Sequence, residues 1–97
     1  MARRIVWSEN AQHERLETLS YWLDRTGSIR YSKKLDGMFR SALRVIAVHP
    51  ELGRQTSDLE VRAKGIGDHL LYYSFTETAI NVLSIWHGKR DPKSKPF

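Results

Sequence analysis

The spacing of apolar positions changes twice along this chain, and each change marks a different kind of element. Arg3-Arg4-Ile5-Val6-Trp7 is short and β-prone, which predicts an opening strand. Ser8 follows as a natural helix N-cap, with Glu9 placed to favour the helix dipole. From Asn10 to Arg25, Leu16, Leu19, Trp22 and Leu23 recur at helical spacing, while Glu14, Glu17 and Arg25 occupy other faces. Thr26-Gly27-Ser28 closes this helix and opens the next, Gly27 suiting a left-handed C′ position and Ser28 a new N-cap. The second helix, Ile29 to Val48, carries Leu35, Met38, Phe39, Ala42, Leu43, Val45 and Ile46 on a broad apolar face. It stops at His49-Pro50, because proline disfavours helical backbone in the residue before it. A link this short makes the two helices an antiparallel hairpin.

Beyond a polar connection from Glu51 to Glu60, the period falls to that of strands. Val61-Arg62-Ala63-Lys64, His69 to Phe75 and Ala79 to Trp86 are rich in β-branched, aromatic and other apolar residues and are separated by turn residues, which reads as an antiparallel meander. The order β-α-α-β-β-β predicts an α+β fold, a helical hairpin packed on one face of a small, mostly antiparallel sheet. One domain over residues 1–97 is expected, with 93–97 a loose tail. Trp22 is expected in the core, and Trp7 and Trp86 are placed to share the sheet interior. Tyr72 and Tyr73 point to opposite faces of their strand, one expected in the core and the other toward solvent or a partner.

Composition narrows the function classes. The apolar runs fall far short of a membrane span, and Ile5-Val6-Trp7 is too short for a signal-peptide core, so a cytoplasmic location is expected. Zero cysteines exclude disulfides and thiolate metal sites. Four scattered histidines show no metal-ligand spacing, and Gly65-Ile66-Gly67 lacks the length and following helix of a phosphate loop, so neither a metal nor a cofactor is expected. Sixteen Lys and Arg against eleven Asp and Glu give a net charge of +5, which suits either solubility alone or an anionic partner. Lys89, Arg90, Lys93 and Lys95 gather in the last nine residues beside one Asp, placed to hold something anionic.

Several fragments in order carry a likeness to a known family: Ile5-Val6-Trp7-Ser8 then Ala11, His49-Pro50 then Leu52-Gly53, Val61-Arg62, Leu71-Tyr72-Tyr73, Ile80 to Ile85, and His87-Gly88-Lys89-Arg90-Asp91-Pro92. In order and spacing the chain resembles the RelE/ParE family of bacterial type II toxins, small cytoplasmic proteins encoded beside an antitoxin. The resemblance implies one of two targets. RelE-like members are ribonucleases that cut messenger RNA on the ribosome; ParE-like members inhibit DNA gyrase without that chemistry. A nuclease needs a base, an acid and cations for the developing phosphorane, and Arg62, Lys64, His87 and Arg90 are the candidates. Two departures weaken that branch. Leu70 stands where RelE-like nucleases carry an arginine, and the tail ends at Phe97 with no tyrosine.

The ParE branch fits better, with Arg62, Tyr73, His87, Lys89 and Arg90 as candidate target or partner contacts. Each has a plainer reading: Arg62 and Arg90 could pair with Glu60 or Asp91, and His87 could be a turn residue. The resemblance implies a cognate antitoxin as partner, docking on the hairpin's outer face or the meander's edge, with gyrase as target and ribosome and messenger RNA as the alternative. A homodimer and a toxin–antitoxin hetero-oligomer both stay open. A third reading is a non-toxic nucleic-acid-binding module working through the basic surface.

Overall fold

The computed structural model describes residues 2–87, and Lys89, Arg90 and the 93–97 tail lie outside the described residues. The elements are β1 (Arg4–Trp7), α1 (Glu9–Thr26), α2 (Ile29–Val48), β2 (Arg54–Gln55), β3 (Arg62–Ile66), β4 (His69–Phe75) and β5 (Ala79–His87). They form the expected α+β fold: two helices on a five-stranded sheet of order β1-β5-β4-β3-β2. β1 runs parallel to β5, and every other pairing is antiparallel.

The caps form as the sequence predicts. The Ser8 hydroxyl accepts from the Ala11 N–H at 3.0 Å, Gly27 takes φ 66°, and the Ser28 side chain accepts from the Arg30 N–H at 3.1 Å. β2 was not expected. Within the stretch read as an irregular connection, Arg54 and Gln55 pair with Ala63 and Arg62, covering part of the β3 edge.

α2 is the core helix. Leu35, Phe39, Leu43, Ile46 and Ala47 lie on one face and pack against Leu71, Tyr73, Ile80, Val82 and Ile85 of the sheet. The apolar stripe of α1 divides instead: Leu19 and Trp22 are half-buried against this core, whereas Leu16 and Leu23 face solvent. Trp22 is therefore not fully interior; its ring meets Tyr21 and Tyr31 edge-on at 5.1 and 4.9 Å. A fork from Arg15 to Asp36 joins the helices, Nε–Oδ1 2.7 Å and Nη2–Oδ2 3.0 Å, with the guanidinium 4.6 Å from the Trp7 ring.

A second buried cluster, Val61, Ala63, Tyr72 and Trp86, lies on the opposite face of the sheet. Trp7 and Trp86 thus do not share one interior, and the cause is a β-bulge. Tyr72 pairs with Ser84 and Tyr73 with Val82, leaving Leu83 unopposed. The extra residue inverts the alternation: Ile80 and Val82 before it, then Ile85 and His87 after it, face the helices, and Trp86 turns away. Both tyrosines are buried, at 2% and 0% exposure, so neither faces solvent.

The Tyr73 hydroxyl donates to the Pro50 carbonyl at 2.7 Å and accepts from the Gly53 N–H at 2.9 Å. Gly53 is required by this approach, since a Cβ there would lie 2.7 Å from that oxygen and 3.0 Å from the Ala63 carbonyl. We expect Tyr73→Phe to destabilise the chain by about 1–3 kcal/mol in urea unfolding, because it orphans a buried donor and acceptor. Burial pushes the Tyr73 hydroxyl above the ordinary 10.0, against the downward pull of the Gly53 N–H and the Arg62 charge, and burial also raises Tyr72 against Arg54. The unfolded chain ionises these phenols first, so their contribution is whole below pH 10.0 and is lost as pH rises above it. Urea unfolding repeated across that range is expected to show stability falling with pH, more gently in Tyr73→Phe.

Candidate functional site

Arg62 leaves β3 half-buried and turns to the loop after α2. Its Nη1 donates to the carbonyls of Gly53 at 2.8 Å and Glu51 at 3.2 Å. These are backbone partners, not the Glu60 carboxylate. A carbonyl has no charge to neutralise, so the guanidinium keeps its full positive charge while its direction is set. Tyr73, its register partner across the ladder, is internal and presents nothing to a partner. Lys64 lies two residues further along β3, half-buried and opposite Leu71, with no ion pair among the described residues.

His87 is the last residue of β5 rather than a turn residue. It is half-buried, pairs in register with His69, and stands edge-on to that ring at 4.9 Å. Together with Glu17, Thr18, Tyr21 and Trp22 of α1, the two imidazoles line a cleft of about 430 Å³. His69, 3% exposed and 5.7 Å from the Phe39 ring, was missed by the sequence reading. Nothing in a His-Leu-Leu-Tyr-Tyr run shows that its first residue meets a histidine from another strand.

Two of the nuclease candidates within the described residues, Arg62 and His87, stand well apart. The registers of Arg62 and His87 are four residues apart along β4, about 13 Å, and their strands are two spacings apart, about 10 Å. Arg62 is also turned toward the loop carbonyls. General acid–base cleavage needs its groups within hydrogen-bond reach of one phosphate, which this spread does not provide. Leu70, at the position of the missing arginine, packs toward Trp86 on the opposite sheet face. Among the described residues no cluster of His, Asp or Glu could hold a metal, and no helix is long and apolar enough to cross a membrane.

The hairpin offers a different kind of surface. Along its outer side runs an apolar groove of about 410 Å³, lined by Leu16, Leu19, Leu23 and Ile29 with Lys33 and Arg40 beside them. Leu16, Leu23 and Ile29 are 60, 41 and 55% exposed, a cluster of large apolar side chains that a lone surface leucine would not make. At the sheet edge, β2 covers Arg62 and Ala63 only, so the register of Lys64 to Ile66 has no outer partner strand among the described residues.

Arg62→Lys keeps the charge, but its shorter side chain ends short of the point from which Nη1 donates to both carbonyls. We expect it to lower stability by about 1–3 kcal/mol in urea unfolding, the range for hydrogen bonds made by a charged donor.

Comparison with known proteins follows this geometry. The family described as ParE toxin of type II toxin-antitoxin system, parDE, matches residues 5–92. A search of curated proteins gives no match. Among solved structures, a chain from the chromosomal ParDE TA system from P. aeruginosa superposes with a TM-score of 0.75 at 12% identity, over 89% of this chain and 96% of that one. At that identity the likeness is one of fold.

Proposed function

The chain belongs to the family of ParE toxins of type II toxin–antitoxin systems, and on that premise we propose that it inhibits DNA gyrase and is neutralised by a cognate antitoxin. The observation that carries this reading is the family match, which runs from the first strand through the His87-to-Pro92 segment. The separation of Arg62 from His87 supports it over the ribosome-dependent nuclease, because a binder has no need to gather them at one phosphate. Arg62, directed by the loop carbonyls, and His87, at the rim of the cleft, are the described candidates for gyrase contact. Lys89 and Arg90 join them from outside the described residues.

The outer groove of the hairpin is the surface we assign to the antitoxin. An amphipathic segment with apolar residues at helical spacing would fill the space between Leu16, Leu23 and Ile29, and flanking carboxylates would meet Lys33 and Arg40. A segment that orders on binding suits such a groove, since burying several large side chains offsets the ordering cost. The unpaired stretch of β3 is a second place where an extended segment could add as a strand.

Relaxed plasmid, gyrase and the purified chain test the target. Loss of supercoiling with accumulation of cleaved DNA is the expected result; unchanged gyrase activity with a folded, monodisperse sample would turn attention to cleavage of ribosome-bound message. Co-purification with the product of a neighbouring reading frame for a small acidic protein tests the partner. We expect Leu16→Glu and Leu23→Glu each to weaken that complex about tenfold or more, as at an interface hot spot, with little change in thermal unfolding of the free chain.

A further inference from the structure

The cations of α2 gather on one side. Successive helical residues turn by about 100°, which sets Arg30, Lys33, Lys34, Arg40 and Arg44 on the side away from the buried Leu35, Phe39 and Ile46. All five are exposed. The helix has one carboxylate, Asp36, and it is bound by Arg15 and approached by Arg40 at 3.5 Å. Arg30, Lys33, Lys34 and Arg44 make no ion pair among the described residues. Asp68 lies in the turn between β3 and β4 and makes no ion pair among the described residues.

This arrangement works against the helix. Arg30 repels Lys33 and Lys34, and Arg40 repels Arg44, at the three- and four-residue spacings where opposite charges would stabilise. Arg30 stands at the positive end of the macrodipole, and the first turn holds no acid. The middle of the face is Gly37 and Ser41. A Cβ on Gly37 would meet nothing within 4 Å, so no internal contact calls for glycine there, although inside a helix it costs about 1 kcal/mol relative to alanine. Beside this face runs an open groove of about 560 Å³, where Gly37 and Ser41 face Gly65 and Gly67 with Lys34 and Arg44 along it.

We propose that the solvent face of α2 is a docking track for the phosphate backbone of duplex DNA. The reading stands apart from gyrase inhibition and would hold for a chain with no effect on that enzyme. Charge complementarity calls for a polyanion, and the chemistry of the face selects which one. An acidic peptide that orders on docking loses about 1–2 kcal/mol of backbone freedom per residue and needs apolar anchors to offset it. Here the groove offers Met38 as its one large exposed apolar side chain, Val45 and Val48 begin past Arg44, and the Leu16–Leu23–Ile29 groove lies on the flank toward α1. A duplex is already ordered and carries one charge per ~1.7 Å of axis, with counterion release as the driving force. Arg30 to Arg44 spans about 21 Å of helix, long enough to follow a run of phosphates, and the small midline lets a backbone approach closely.

The test is fluorescence anisotropy of a labelled, mixed-sequence duplex of about 20 base pairs, titrated with the full chain at several salt concentrations. For the chain free of its antitoxin, which would also engage Lys33 and Arg40, five contacts predict a log–log salt slope of about −4.5. Lys34→Ala/Arg44→Ala is expected to make that slope shallower by about 2 and to weaken binding tenfold or more at the lowest salt. Arg25→Ala/Arg54→Ala removes the same charge from exposed positions off α2 and is expected to change the slope by less than half as much. No binding at about 50 mM salt, or an equal loss in both double variants, would overturn the proposal, the latter by reducing it to net charge. Displacement of the duplex by polyglutamate at matched charge would overturn it in favour of an acidic protein. Near-UV circular dichroism of both variants checks that each is folded.

Discussion

The hydroxyl of Tyr73 sets how the second half of the molecule meets the first. A phenol can enter a core only if its polar end finds partners there, and Tyr73 finds two, the carbonyl of Pro50 and the N–H of Gly53. These are the residues at which the chain leaves α2 and turns back toward the sheet. Holding them places Arg54 and Gln55 against β3 and puts the Gly53 carbonyl within reach of Arg62. A single buried oxygen therefore ties the helix end to the sheet, brings the short strand β2 against β3, and gives the guanidinium of Arg62 its direction. Gly53 follows as a steric consequence, because there is no room for a side chain beside that oxygen.

The two helices differ in hydropathy, α1 the more polar and the less amphipathic, and they do different work. α2 commits its apolar face to the core, so α1 has only a partial role there and keeps Leu16 and Leu23 at the surface. α1 is instead held by polar contacts: Arg15 to Asp36, the Ser32 hydroxyl to the Leu19 carbonyl at 2.8 Å, and Glu14 accepting from Ser84 and the Ile85 N–H. Such contacts fix the geometry of the hairpin without covering its apolar outer side. A toxin held by a partner would use that division, since stability of the free chain and affinity for the partner then rest on different residues.

The electrostatics are distributed in the same spirit. The cation singled out on β3, Arg62, is tied to the loop, and His87 shares its cleft with an imidazole and an aromatic pair. The densest positive charge among the described residues lies on α2, whose one acid, Asp36, is already bound by Arg15. That face is legible in a helical projection of residues 29–48, because it depends on sequence spacing alone.

Much of the fold was legible. Ser8, Gly27, Ser28 and His49-Pro50 mark helix ends because capping and proline sterics are local, depending on residues within one turn. The β-α-α-β-β-β order follows from hydrophobic period in the same way. The candidate site was less legible, since a residue type can be read locally but its neighbours cannot. By alternation alone, Trp86 belongs with Trp7 and Val82 on the helix face, and His87 faces away. The one-residue bulge at Leu83 inverts both, placing His87 against His69 and α1 and turning Trp86 toward Tyr72. A bulge is a compromise among pairings of strands distant in sequence, as the Tyr73 contact is a compromise between a strand and a helix end. The sequence by itself determined every element except the two-residue β2, their order and the family. Only the tertiary structure decided which face of the sheet each late residue of β5 occupies, because register is settled by packing between elements and not by any segment alone.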